Sequence, residues 1–167
     1  MRIEGVDVAA HDRLRTFEEL FARERESVYG AIWLVTRDRH EAEEIAQEAF
    51  LRVWERWERV SGMDDPAAYL YRTAFNVWHS RRRRALVAIR KAIHAGPPPD
   101  AMAEVDARDA VVRALARLTE RQRAALVLTD LLDLTSEDAG KALGVRPSTV
   151  RVLSARARTA LREGMDR

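Results

Sequence analysis

The most regular spacing of apolar positions lies in "DRHEAEEIAQEAFLRVWERWERV", residues 38–60. Ala42, Ile45, Ala46, Ala49, Phe50, Val53, Trp54 and Trp57 recur at steps of three and four, which puts them on one face of a helix. Glu41, Glu44, Gln47, Glu48, Arg52 and Glu55 fall on the opposite face. Asp38 can cap the start, with Glu41 at the reciprocal capping-box position. Upstream, "FEELFARERESVYGAIWLVT" has the same period, and Phe17, Leu20, Phe21, Val28, Ile32 and Val35 can pack against the first face. A third helix starts in "SGMDDPAAYLYRTAFNVWHSRRRR": Asp65 followed by Pro66 suits a helix N-terminus, because proline is tolerated in the first turn. It is rich in aromatics and ends on Arg81–Arg84.

The period then decays. "AGPPPDAMAE" sets Gly96 and a run of prolines between helical segments, so residues 85–104 read as a linker, with helix able to persist over 86–94. Beyond it the chain is helical again. "DARDAVVRALARL" carries Val111, Val112, Leu115 and Leu118, and "TERQRAALVLTDLL" opens with Thr119 as cap and Gln122 as its capping-box partner. No segment has the alternation of a strand. The expected fold is all-α, in two small helical domains.

"TSEDAGKALGVRPSTVR", residues 135–151, predicts a short helix, a turn and a second helix. Thr135 can cap the first, Gly144 sits where a left-handed C-terminal cap is wanted, and Pro147 fits the first turn of the next. Leu143, Val145, Val150 and Leu153 supply contacts between the two, and Gly140 permits close approach. This is the spacing of a helix-turn-helix with Pro147–Leu161 as recognition helix. Ser148, Arg151, Val152 and Ala155 would point outward, and Arg146, Arg156 and Arg158 could reach phosphates. A purely structural helical hairpin has the same pattern. The third helix is similarly two-sided. Tyr69, Tyr71, Phe75 and Trp78 exceed one buried stripe, so some are expected at the surface beside Arg72, Asn76 and His79, where aromatics and arginines can hold unstacked bases. On spacing alone they serve equally well as core.

Composition narrows the chemistry. The 167 residues are 47% apolar and 34% charged, with net charge +2, so any nucleic-acid contact must come from local clusters. The basic residues are almost all Arg; Lys91 and Lys141 are the lysines. Cysteine is absent, which excludes disulfides, a thiol nucleophile and Cys-based metal sites. Four scattered histidines offer no nucleophile–base pair, and no glycine loop can cradle a phosphate, so no catalytic residue, metal site or cofactor is expected. The N-terminus lacks a signal-like apolar core and no apolar run approaches membrane-spanning length, so a cytoplasmic location without membrane insertion is expected.

Taken in order, these segments resemble the extracytoplasmic-function (group IV) sigma factors of the sigma-70 family over residues 17–84 and 105–163. "EAEEIAQEAFLRVW" is similar to the family's polymerase-binding helix, "DDPAAYLYRTAFNVWHSRRRR" to its minus-10 recognition helix, and residues 118–163 to its minus-35 reader. The resemblance implies a region 2 domain at 17–84 and a region 4 domain at 105–163. Around them lie tails at 1–16 and 164–167 and a linker that threads toward the polymerase active-site channel. It implies docking on the β′ clamp helices of core RNA polymerase through Glu44, Gln47, Glu48 and Arg52, and contact with the β flap. Arg72, Phe75, Asn76, His79, Arg82 and Arg83 would hold the minus-10 single strand, and the loop Val60–Asp65 would take a flipped base. Arg146, Ser148, Thr149, Arg151, Val152 and Arg156 would lie on the minus-35 duplex. An anti-sigma factor is a further implied partner. Departures from the family pattern are Phe75 for a usual Arg, Ser80 for Asp, Ala139 for a larger aliphatic, Leu153 for Arg and Ser154 for Leu. Two other readings fit the residues alone: a stand-alone helix-turn-helix regulator, and a helical protein-binding scaffold.

Overall fold

The computed structural model describes the backbone of residues 8–91 and 110–165; the rest of the tails and linker lies outside the described residues. Helix α1 spans Val8–Thr36, α2 Arg39–Trp54, α3 Trp57–Val60 and α4 Pro66–Lys91. Helix α5 spans Ala110–Ala116, α6 Glu120–Leu126, α7 Ser136–Leu143 and α8 Pro147–Met165. Helix α1 thus starts nine residues before the predicted domain edge at 17, and α4 runs seven residues into the predicted linker.

Local signals place most of these ends. Asp38 accepts from the Glu41 amide at 2.9 Å and starts α2. Its own amide goes to Thr36 Oγ1 rather than to Glu41, so the reciprocal half of the predicted capping box is replaced by a residue from the preceding helix. Asp65 accepts from the Ala68 amide and starts α4 at Pro66. Thr119 and Gln122 form both halves of a capping box on α6. That helix widens into a π-helical turn over Val127–Leu131. There Thr129 Oγ1 lies 3.1 Å from Ser154 Oγ, which gives buried Ser154 a partner where a leucine would need none.

Helices α1, α2 and α4 pack pairwise into the N-terminal module. Val28, Ile32, Val35, Ile45, Ala49 and Val53 are fully buried there, as the three-and-four spacing predicts, and so are Leu70, Ala74, Phe75 and Val77 of α4. Each large side chain in such a core contributes about 1.5–3 kcal/mol of burial. Trp57 on α3 closes one end, its ring nitrogen donating to Thr16 Oγ1. Helices α6, α7 and α8 form the C-terminal module, with a small satellite core of Leu115, Leu118, Leu126 and Ala157.

The modules are not held apart. Helix α7 packs on α4 and α6 on α1, and one continuous core runs from Val28 and Phe75 to Leu128, Ala139, Leu143 and Val150. Two arginines join them through main-chain carbonyls. Buried Arg123 of α6 donates to the Val35 carbonyl at the end of α1 (3.1 and 2.9 Å) and to the Leu118 carbonyl at 2.7 Å. It thereby serves the Val35 carbonyl, which lies in the last turn of α1 and has no partner within its own helix. Arg37, in a left-handed turn with φ 62°, donates to the Val112 carbonyl at 3.0 Å.

Candidate nucleic-acid interface

The helix-turn-helix forms as the sequence dictates. Thr135 accepts from the Asp138 amide, Gly144 ends α7 with φ 63° and ψ 35°, and Pro147 opens α8. A Cβ on Gly140 would stand 2.8 Å from the Val145 carbonyl, so a side chain there would push the turn apart. Val150 and Ala157 are buried beneath α8, and Ser154 beside them. Ser148, Thr149, Arg151, Val152, Ala155 and Arg156 face outward, and Arg146 is exposed just before the helix. Arg151 has only a loose pairing with Glu137 at 3.8 Å. Arg158 is held differently: two 2.7 Å bonds tie it to Asp130 and pull that carboxyl below its ordinary range.

The α4 residues expected on a single strand divide into three groups. Phe75 is fully buried, and Tyr71 and Trp78 are buried beside it; only Tyr69 keeps part of its ring exposed. The expectation that Phe75 touches DNA is therefore corrected. Helix α4 has neighbours on more than one side, so it buries a broader band than a single apolar stripe. Asn76 and Arg83 are exposed. Arg72, His79 and Arg82 are partly covered by the C-terminal module. Arg72 Nη1 lies 3.3 Å from Asp138 Oδ1 on α7, and Arg82 pairs with Glu120 at the start of α6. The His79 ring lies against Gly144, 2.8 Å from where a Cβ would stand.

This covered surface is strongly cationic. Burial, then Arg121, Arg83 and Arg82, depress the His79 pKa. Burial and Arg121 depress that of Arg82, and burial with Arg37 and Arg82 pushes Arg123 down to about 10. The Val60–Asp65 loop borders a cleft of about 390 Å³ lined by Gly62, Met63, Asp64, Asp65, Ala68 and Arg72, and Leu134 and Asp138 of the other module form its far wall.

The polar face of α2 is largely committed within the chain. Arg81 of α4 bonds Glu44 (2.8 Å) and Glu48 (2.8 and 3.2 Å), and Arg52 bonds Glu48 at 2.6 Å. The Arg81 bond, foremost among several causes, holds the Glu48 carboxyl below its ordinary range. Gln47 is exposed at the rim of an apolar groove of about 470 Å³ formed with Phe17, Phe21, Phe50, Leu51 and Trp54. Leu51 (63%), Trp54 (42%) and Phe21 (41%) are exposed and give that groove an apolar surface beside the expected docking residues. Sequence periodicity placed Trp54 on the core face, and so missed it.

Residues 20–86 match the family Sigma-70 region 2, and residues 108–161 match Sigma-70, region 4. The chain is 32% identical to the ECF RNA polymerase sigma factor SigM of Mycobacterium tuberculosis, over 92% of this chain and 80% of that protein. The chain belongs to the ECF sigma factors of the sigma-70 family. It is also 26% identical to the RNA polymerase sigma-E factor of Streptomyces coelicolor, over 88% of this chain and 84% of that one. In fold it is similar to the sigma factor RpoE solved in complex with the anti-sigma factor NepR from Bartonella quintana, with TM-score 0.69 and 19% identity over 91% and 98% of the two chains. As an ECF sigma factor the chain has a use for both modules, whereas a stand-alone regulator leaves the N-terminal half without a role. Among the described residues no helix is long and apolar enough to cross a membrane.

Proposed function

We propose that this ECF sigma factor binds core RNA polymerase, recognises a minus-35 duplex through α8, and stabilises the melted minus-10 strand through α4 and the Val60–Asp65 loop. It is a non-catalytic, cytoplasmic initiation factor. The carrying observation is the order along one chain of the two matched regions, with α8 presenting Ser148, Thr149, Arg151 and Val152 to solvent. A helix-turn-helix enters the major groove with its recognition-helix N-terminus, where Ser148 and Arg151 stand.

Strand capture in this reading rests on Arg72, Asn76, His79, Arg82, Arg83 and the loop cleft, not on a row of stacked rings. Opening each base step costs on the order of 1.4 kcal/mol. Phosphate contacts and one base held in the cleft offset this only when polymerase keeps the modules in register. Docking centres on Gln47 and the adjoining apolar groove, because Glu44, Glu48 and Arg52 are already engaged with Arg81 or with each other. The β flap, acting on the C-terminal module, and an anti-sigma factor complete the proposed partners.

Reconstitution with core polymerase, followed by sequencing of the transcripts, tests the reading. Discrete start sites sharing two spaced upstream elements support it; a chain that neither co-purifies with core enzyme nor starts RNA contradicts it. Trp54→Ala should weaken co-purification while leaving duplex recognition by α8 unchanged.

A further inference from the structure

We propose that Asp130 withholds Arg158 from the DNA backbone, so that α8 meets the minus-35 duplex with one phosphate anchor fewer than its arginines suggest. This rests on the α8 role proposed above and adds to it a residue pair that limits the sequence-independent part of the contact. Arg158 follows Arg151 by seven positions, which is two turns along one edge of α8 and about 10 Å along its axis. A recognition helix reads bases with its first residues, so a later arginine on the same edge stands level with the groove wall, where the phosphates are. Spacing alone therefore groups Arg158 with Arg146 and Arg156 as a phosphate contact.

The structure gives it another partner. Arg158 Nε donates to Asp130 Oδ2 and Nη2 donates to Oδ1, both at 2.7 Å, in the fork-to-fork geometry by which arginine also grips a phosphate. The bond raises the Arg158 pKa above its ordinary value, as it lowers that of Asp130. The carboxylate is itself held: Thr129 Oγ1 lies 2.7 Å from Asp130 Oδ1 and 3.1 Å from Ser154 Oγ, one turn before Arg158. Consecutive side chains of an α-helix point about 100° apart. Here the wider π-helical turn, closed by the Leu132 amide on the Val127 carbonyl at 3.0 Å, brings both Thr129 and Asp130 to α8. Arg151, on the same edge, has only the 3.8 Å contact with Glu137. The Arg158 side chain is 50% exposed, so the ion pair and not burial keeps it from a phosphate. Each arginine that does reach a phosphate adds affinity that is independent of sequence and sensitive to salt, and the pair cancels that increment.

The test uses the full chain assembled with core polymerase, on a promoter duplex found by the transcript sequencing above and on the same duplex with its minus-35 element scrambled. Binding is measured between about 50 and 200 mM salt. Asp130→Asn keeps the shape of the pair and removes its negative charge; Asp130→Ser, with no amide to hold the guanidinium, repeats the measurement in a second form. Both should bind more tightly at low salt and steepen the log–log salt slope by about 0.9, an extra loss of about threefold to fourfold across that range. The gain should be equal on the scrambled duplex, because phosphates carry no sequence. Asp130→Asn with Arg158→Gln leaves the position without net charge, as the ion pair does, and should return the slope to the wild-type value. An unchanged slope in the Asp130 variants, a gain confined to the intact promoter, or a gain that persists without Arg158 overturns the inference. So does a double variant shallower than wild type, since Arg158 then already holds a phosphate. A wild-type complex that binds the intact and scrambled duplexes equally overturns the α8 reading itself, and this inference with it.

Discussion

The exposed face of α8 and the partly covered face of α4 are both read as DNA surfaces, yet the same chain leaves one open and packs a module on part of the other. On α8, small and charged residues alternate with Val150, Ser154 and Ala157, which are buried against the rest of the module, and nothing among the described residues lies across Ser148, Arg151 and Val152 except the loose Glu137 contact. On α4, the same kind of basic surface carries a second module. The difference teaches that a DNA-reading helix is available only as far as its charges lack a better partner inside the protein. Arg151 has a weak one, and Arg72 and Arg82 have paired carboxylates with partial burial.

The largest expected effect separates core from contact on α4. Phe75→Ala should cost about 3–5 kcal/mol of stability in urea unfolding, because a fully buried ring is removed. A loss of strand binding with undiminished stability would instead return Phe75 to the DNA surface. Next, Arg123→Met should cost about 3 kcal/mol, since the Val35 and Leu118 carbonyls lose a charged donor within a buried site. It should also lower energy transfer between dyes attached at Glu26→Cys on α1 and Glu163→Cys on α8; a stable variant with unchanged transfer would remove Arg123 from the list of joints.

On α8, Arg151→Ala should reduce discrimination at one minus-35 position by about 1–3 kcal/mol without altering stability or polymerase binding. Competition between promoter variants measures this, and an unchanged preference order would break the groove assignment. The smallest effect concerns His79. Its pKa is depressed below 6.5, by burial first and then by Arg121, Arg83 and Arg82, so the neutral ring belongs to the packed modules. Their packing should therefore be insensitive to this group above pH 6.5, and should weaken as pH falls through the depressed value and the ring is protonated. Energy transfer in the wild-type chain should drop over that range and stay constant in His79→Gln. Equal acid sensitivity in both would assign the change to another group.

Local signals made much of the fold legible. The cap at Asp38, the Asp65–Pro66 start, the Thr119–Gln122 box and the Gly144 turn all involve residues within four positions of one another, and all are present. Hydrophobic period found the buried positions of α2 for the same reason. What was not legible depends on which helix faces which. Tyr71, Phe75 and Trp78 read as a surplus because periodicity allows for one partner face, whereas α4 meets α1, α2 and α7. Glu44, Glu48 and Arg52 read as a free polar face because Arg81, more than thirty positions from Glu48, cannot be aligned with them from spacing. Arg37 and Arg123 gave no signal at all, since their partners are main-chain carbonyls 75 and 88 positions away.

DNase I and permanganate footprinting of one promoter, with core polymerase reconstituted around three forms of the chain, tests most directly whether α8 and α4 serve two separate steps. The wild-type complex should protect the upstream duplex and make minus-10 thymines reactive. Arg151→Ala should weaken both together, and Arg72→Ala with Arg82→Ala should keep the protection and lose the reactivity. If the two variants fail at the same step, or the wild-type complex opens no DNA, the division of labour between the two helices is contradicted.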